Sequence, residues 1–116
     1  MKIWLDDIRP PPDKTWTVFR EAPVLISWLH NTGSYLFNVV ETMSLDHDLG
    51  PPSAGTGYDV LNFVESAFHH HKEYCRAHNL TMLWSLPEIK IHTANPVARQ
   101  RMQLALSTIH RRFGKK

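Results

Sequence analysis

Asp6, Asp7, Asp46 and Asp48 form two acidic pairs, LDD at 5–7 and LDHDL at 45–49, each directly behind a short apolar run. Carboxylates brought within a few ångströms repel one another, so a fold that gathers both pairs must either raise a carboxyl pKa or bind a cation. An all-oxygen donor set suits Mg²⁺ or Mn²⁺, whose octahedral shell takes one or two carboxylates, waters and substrate phosphate oxygens. Any one Asp is equally at home as a turn former or N-cap. Two clusters behind two similar runs favour the metal. His47 and His92 titrate near neutrality and could pass a proton to or from a phosphate oxygen or a water. Thr93, Asn95 and the amides opening a helix after Pro96 could hold anionic oxygens, with Arg99 one turn further on.

A second set, His69, His70, His71, Cys75 and His78, lies late in one periodic stretch, where His71, Cys75 and His78 share a helical face. A closed zinc site needs four ligands. Three with no partner motif predict a solvated polar face instead.

The elements that must position these residues read as follows. Lys2 to Leu5 is an apolar, β-prone run stopped by the first acids, hence a strand. Pro10, Pro11 and Pro12 forbid a helix start and impose an extended loop to about Thr15. Trp16 to Phe19 reads as a second short strand. Glu21 to His30 has helical spacing, with Asn31 and Gly33 as stop signals. Val39 to Leu45 reads as a buried strand running into Asp46. A Gly- and Pro-rich loop then leads to a long helix, Tyr58 to His78, with Val60, Leu61, Val64, Phe68, Tyr74 and Cys75 on its apolar stripe. Glu88 to Thr93 is the last strand, and Pro96 to Phe113 the last helix, with Val97, Met102, Leu104, Leu106 and Ile109 apolar. Strands alternating with helices imply βα units and a parallel sheet, whose ligand sites lie at the C-terminal ends of the strands. Both acidic pairs, His92, Thr93 and Asn95 fall there. Trp4, Trp16, Trp28 and Trp84 read as packing residues, one of which could stack on a base near the site.

Composition fits one globular domain over residues 1–116: 42% of residues are hydrophobic and 21% charged, against the low-hydrophobicity balance of disordered chains. The single cysteine, Cys75, excludes an intrachain disulfide, and a reducing, cytoplasmic compartment fits best. No apolar run approaches the ~20 residues of a membrane span, and MKIWLDD is too short for a signal-peptide core. The net charge of +2 divides unevenly: residues 1–60 hold four Lys/Arg against eight Asp/Glu, and residues 61–116 hold nine against three. The basic half either draws an anionic ligand toward the acidic centre or, for Arg111, Arg112, Lys115 and Lys116, is a solvated helix end.

The motifs LDD, LDHDL, GYDVL at 57–61 and HTANP at 92–96, in that order across nearly the whole chain, resemble the receiver-derived family associated with cyclic-phosphate processing. The resemblance implies a truncated receiver-like (flavodoxin-like) three-layer α/β domain with a small, mainly parallel sheet. By likeness to phosphorelay receivers, Asp6 and Asp7 would hold Mg²⁺ with Asp46 in the acceptor position, and Thr93 would meet a phosphoryl oxygen. The receivers' lysine has no counterpart, since Lys90 stands inside its strand, and the pattern stops one βα unit early with a loop at 9–15 in place of a helix. Arg9, His47, Asp48, His92, Asn95 and Arg99 suit binding and protonating a phosphoester better than storing a phosphoryl group. The expectation is a metal-dependent phosphoesterase or cyclic-phosphate hydrolase acting on a nucleotide or RNA end, with Asp46, Asp48, His47 and His92 catalytic and Arg9, Thr93, Asn95 and Arg99 binding substrate. The rival is a catalytically inactive module that binds a nucleotide or protein partner.

Overall fold

In the computed structural model, residues 1–82 and 84–114 are described, with the backbone alone for residues 32–37. Four strands, β1 (Lys2–Leu5), β2 (Trp16–Phe19), β3 (Thr42–Leu45) and β4 (Glu88–Ile91), form one sheet in the order β2-β1-β3-β4, every pair parallel. Three helices follow strands: α1 (Ala22–Val39) after β2, α2 (Gly57–Ala77) after β3 and α3 (Pro96–Phe113) after β4. This is the parallel, receiver-like α/β architecture expected. No helix among the described residues is long and apolar enough to cross a membrane.

Strand alternation sorts the sheet into two faces. Ile3, Leu5, Met43, Leu45 and Ile89 point one way and join Leu25 and Leu29 of α1, Val60, Leu61, Val64 and Phe68 of α2, and Met102, Leu106 and Ile109 of α3 in one core. Each such side chain, fully removed from water, contributes about 1.5–3 kcal/mol. The register aligns Lys2, Trp4, Trp16, Val18, Thr42, Ser44, Glu88 and Lys90 on the other face. On it Trp4 and Ser44 are buried, while Val18, Glu88 and Lys90 stay exposed. Three successive prolines bar a helix after β1, so the strand is followed by a loop of bends and turns that lies beside Trp4, whose indole Nε1 donates to the Arg9 carbonyl at 2.9 Å.

Several boundaries differ from the sequence pattern. α1 runs through Asn31 and Gly33 to Val39, because a helical glycine costs only about 1 kcal/mol relative to alanine and Asn31 satisfies its amide within the helix, on Ser27 Oγ at 3.2 Å. Val39 therefore closes a helix, its carbonyl accepting from the N-terminal ammonium at 3.0 Å, and β3 begins only at Thr42. On α2 Cys75 is buried but Tyr74 is 57% exposed; on α3 Met102, Leu106 and Ile109 face the core while Val97 and Leu104 face solvent. α2 opens on a capping box, Thr56 accepting from the Asp59 amide while the Asp59 carboxylate accepts from the Thr56 amide. The four tryptophans pack as expected, Trp28 on Phe19 and Trp84 on Phe68 and His71, with Trp16 set edge-on to Trp4.

His71 stacks on Trp84 at 4.1 Å and lies 3.7 Å from Cys75 Sγ. Among the described residues no set of three potential ligands forms around this pair. Burial holds the His71 imidazole below its ordinary pKa. The unfolded chain then binds more protons than the folded one, so this contribution is fully present above about pH 6.5 and is lost as the pH falls through the lowered native value. His71→Gln, which cannot protonate, is expected to lose less melting temperature than the parent between pH 7.5 and 5.5. Equal losses would exclude His71 as the titrating group.

Candidate functional site

The parallel ladders bring the ends of β1 and β3 level. Asp6 N donates to Phe19 O at 3.1 Å, Asp46 N to Leu5 O at 2.9 Å and His92 N to Leu45 O at 3.0 Å, so the residues that follow three strands emerge side by side. Asp6, Asp7 and Asp46 each place a carboxylate oxygen within 4.8 Å of the other two. Asp6 and Asp46 are buried, 1% and 7% exposed, and Asp7 is half-buried. The cluster lies in a cleft of about 410 Å³ walled by Ile8, Arg9, Asp48, Gly50 and Ala94. A larger hollow of about 490 Å³ between α1 and α2 is lined by Ala22, Pro23, Ile26 and Phe63 and holds no comparable group of acids.

The three carboxylates could hold a metal, as in receiver domains. Burial raises the Asp46 carboxyl above its ordinary range, and the charge of Asp6 adds to the rise; hydrogen bonds from the His47 amide and Thr93, with the field of His92, only partly offset them. Burial also acts on Asp6, but the amides of Ile8 and Arg9, both donating to its Oδ1 at 2.9 Å, and the ring of His92 outweigh it and hold the group below its usual value. A buried carboxylate raised by its neighbour, in an oxygen-only set, is what a hard divalent cation relieves.

Asp48 stands apart from the three. Its side chain is 63% exposed on the cleft wall, and its Oδ1 lies 2.9 Å from His47 Nδ1, so the fourth carboxylate pairs with an imidazole. His47 Nε2 has no partner among the described residues. His92 is differently placed. Its Nε2 meets Asp6 Oδ2 at 3.0 Å, its Nδ1 meets the buried Ser44 hydroxyl at 2.7 Å, and its ring stacks on Trp4 at 4.0 Å. Burial lowers its pKa, against the raising influence of Asp6 and Asp46. A neutral ring donating from Nε2 to Asp6 and accepting at Nδ1 from Ser44 satisfies every contact, and leaves neither nitrogen open to a ligand.

Asn95 and the amides after Pro96 are committed as well: Asn95 Oδ1 accepts from Val97 N at 3.1 Å and Ala98 N at 3.2 Å, capping α3. Those amides are therefore not open to an anion. Thr93 is buried, its hydroxyl accepting from Asn95 N at 3.2 Å and donating toward Asp46. Arg9 donates through Nη1 to the His92 carbonyl at 3.1 Å and Arg99 through Nη2 to that of Thr93, while both residues stay exposed. Lys90 is exposed and 3.5 Å from Glu88 on the open face. The described part of the basic tail lies away from the site: α3 runs back along the sheet until His110 and Gly114 flank Pro87 and Glu88, where β4 starts, and Arg112 pairs with Glu65. Lys115 and Lys116 lie outside the described residues.

Sequence reasoning missed Arg20 and Ser44. Arg20 Nη1 donates to the Asp6 carbonyl at 2.8 Å. The available signal was position, since Arg20 directly follows a strand that the parallel sheet must end at the same edge. Ser44 was legible only as a polar residue inside an apolar strand.

The model for the cyclic-phosphate processing receiver domain family matches residues 1–108. Comparison with curated proteins and with solved structures gave no significant match.

Proposed function

The chain belongs to the cyclic-phosphate processing receiver domain family, and on that premise we propose that it is a metal-dependent phosphoesterase opening a cyclic phosphate on a nucleotide or RNA end. The observation that carries this reading is the convergence of Asp6, Asp7 and Asp46 within 4.8 Å beside an open cleft walled by Arg9 and Asp48. These three residues would hold Mg²⁺ or Mn²⁺, which when bound supplies positive charge for the phosphoryl oxygens and for an attacking water. Arg9 and Arg99, each tied to a strand-end carbonyl by one nitrogen, keep further donors of the guanidinium fork for non-bridging oxygens.

The reaction adds water across one ring P–O bond: the water oxygen bonds to phosphorus, the ring ester oxygen leaves, and a proton passes from the water to that oxygen to give a phosphomonoester. The His47–Asp48 pair suits the proton movement. Asp48 accepts from Nδ1–H and leaves Nε2 free to take or give a proton. His92, with both nitrogens occupied, suits holding the carboxylate of Asp6 rather than protonating the leaving oxygen. Asp46 as nucleophile is the competing route, and the adduct it would form is expected to be short-lived, because among the described residues no lysine stands at a strand end to stabilise it.

Purified protein with Mg²⁺, incubated with 2′,3′- and 3′,5′-cyclic nucleotides and with RNA ending in a 2′,3′-cyclic phosphate, should produce monoester detectable by phosphorus NMR. His47→Ala is expected to lower kcat by about 10²-fold or more, the scale of general acid–base catalysis. Saturable nucleotide binding without turnover across this panel would instead establish the inactive binding module.

A further inference from the structure

Two of the three clustered carboxylates are held by their own hydrogen bonds. Asp6 accepts from Ile8 N, Arg9 N and His92 Nε2, and Asp46 accepts from His47 N at 2.8 Å and from Thr93. Asp7 is different. Its carboxylate has no hydrogen-bond or ion-pair partner among the described residues, and its Oδ2 merely faces Gly50, where an added Cβ would stand 3.5 Å away. What positions Asp7 is therefore its backbone rather than any contact of its carboxylate.

The Asp6–Asp7 peptide is held from outside its own loop. Its carbonyl oxygen, Asp6 O, accepts the 2.8 Å hydrogen bond from Arg20 Nη1. Arg20 follows the edge strand β2, is exposed, and makes no ion pair among the described residues, so its guanidinium is committed to this carbonyl rather than to any carboxylate. Because a peptide unit is planar, fixing its oxygen also fixes the amide nitrogen and Cα of the next residue. We infer that Arg20 is a positioning residue for the divalent cation: by pinning the Asp6–Asp7 peptide it aims the otherwise unanchored carboxylate of Asp7 into the cluster. The inference rests on the metal reading of the proposed function.

Charge alone predicts the opposite sign. A guanidinium near the cluster repels a divalent cation, so deleting it would tighten binding if repulsion were its main influence. A positioning role means that deletion weakens binding, and outer-shell partners of metal ligands typically matter by 10–100-fold in affinity.

Calorimetric titration of Mg²⁺, repeated with Mn²⁺, into the parent protein, Arg20→Met, Arg20→Lys, Asp7→Asn and the Arg20→Met/Asp7→Asn double variant separates the two. Arg76→Met, a residue of the last turn of α2 paired with Glu73, controls for the loss of one positive charge. Arg20→Met should weaken binding about tenfold, Arg20→Lys should recover part of the loss, and in the Asp7→Asn background Arg20→Met should cost little more. Unchanged or tighter binding by Arg20→Met, or full additivity in the double variant, overturns the inference while leaving the metal site standing. No binding of either ion by the parent protein overturns both.

Discussion

Gly57→Ala is expected to destabilise the protein by about 3 kcal/mol, at the upper end of what overpacking a tight site costs, although the same change inside an ordinary helix stabilises by up to about 1 kcal/mol. The sign is reversed by what stands against Gly57. A Cβ there would lie 2.1 Å from the Asp46 carbonyl oxygen and 2.8 Å from Met102 Cε. The methionine end can swing aside; the carbonyl is backbone at the end of β3 and cannot move without dragging the Asp46 carboxylate with it. Gly57 N also donates to the His47 carbonyl at 3.4 Å, so the first turn of α2 is tied to the segment carrying Asp46, His47 and Asp48. The variant should therefore show a lower denaturant midpoint and a weaker response to Mg²⁺ together. An unfolding free energy within about 0.5 kcal/mol of the parent's, the range of an unremarkable surface change, would mean that the helix start is free to retreat from the strand.

The parallel sheet was legible because the strands are short β-prone runs, two of them stopped by acidic pairs, and the start of α3 because Pro96 marks the first turn of a helix locally. The extent of α1 was not: Asn31 and Gly33 are weak stop signals, and Leu25 and Leu29 are anchored in a core formed by residues distant in the chain. The two exposed faces of Val97 and Leu104 were lost for the same reason, since periodicity finds an apolar stripe without saying how wide a neighbour will cover it.

At the site, residue identity was legible and residue connectivity was not. The acids of LDD and LDHDL and the histidine of HTANP stood out by type and position. Nothing in the spacing of Ser44, Trp4 and Asp6 reveals that one imidazole lies against all three. That connectivity alters the chemistry, because an imidazole occupied at both nitrogens steadies a carboxylate, whereas one held at a single nitrogen, as His47 is by Asp48, retains a site for a proton.

Asp46→Asn should reverse the order of stability between metal-free and metal-loaded protein. Without a cation, Asp46 is a buried carboxylate raised by burial and by the like charge of Asp6 beside it. An asparagine keeps the oxygen that accepts from His47 N and turns the repelling group into a donor toward Asp6. The metal-free variant should be more stable than the parent by on the order of 1 kcal/mol, a modest share of the Coulomb energy of two close charges near a protein surface. Mg²⁺ then acts on the parent by mass action, adding about 2.7 kcal/mol when present at one hundred times its dissociation constant. The variant has lost a charged ligand and should gain little. Melting curves of both proteins in chelator and across a Mg²⁺ series should therefore cross, the asparagine variant leading in chelator and the parent leading at saturation. Parallel curves, with the parent ahead or behind throughout, would show that the three carboxylates share no cation, and the phosphoesterase reading would lose the centre on which its chemistry depends.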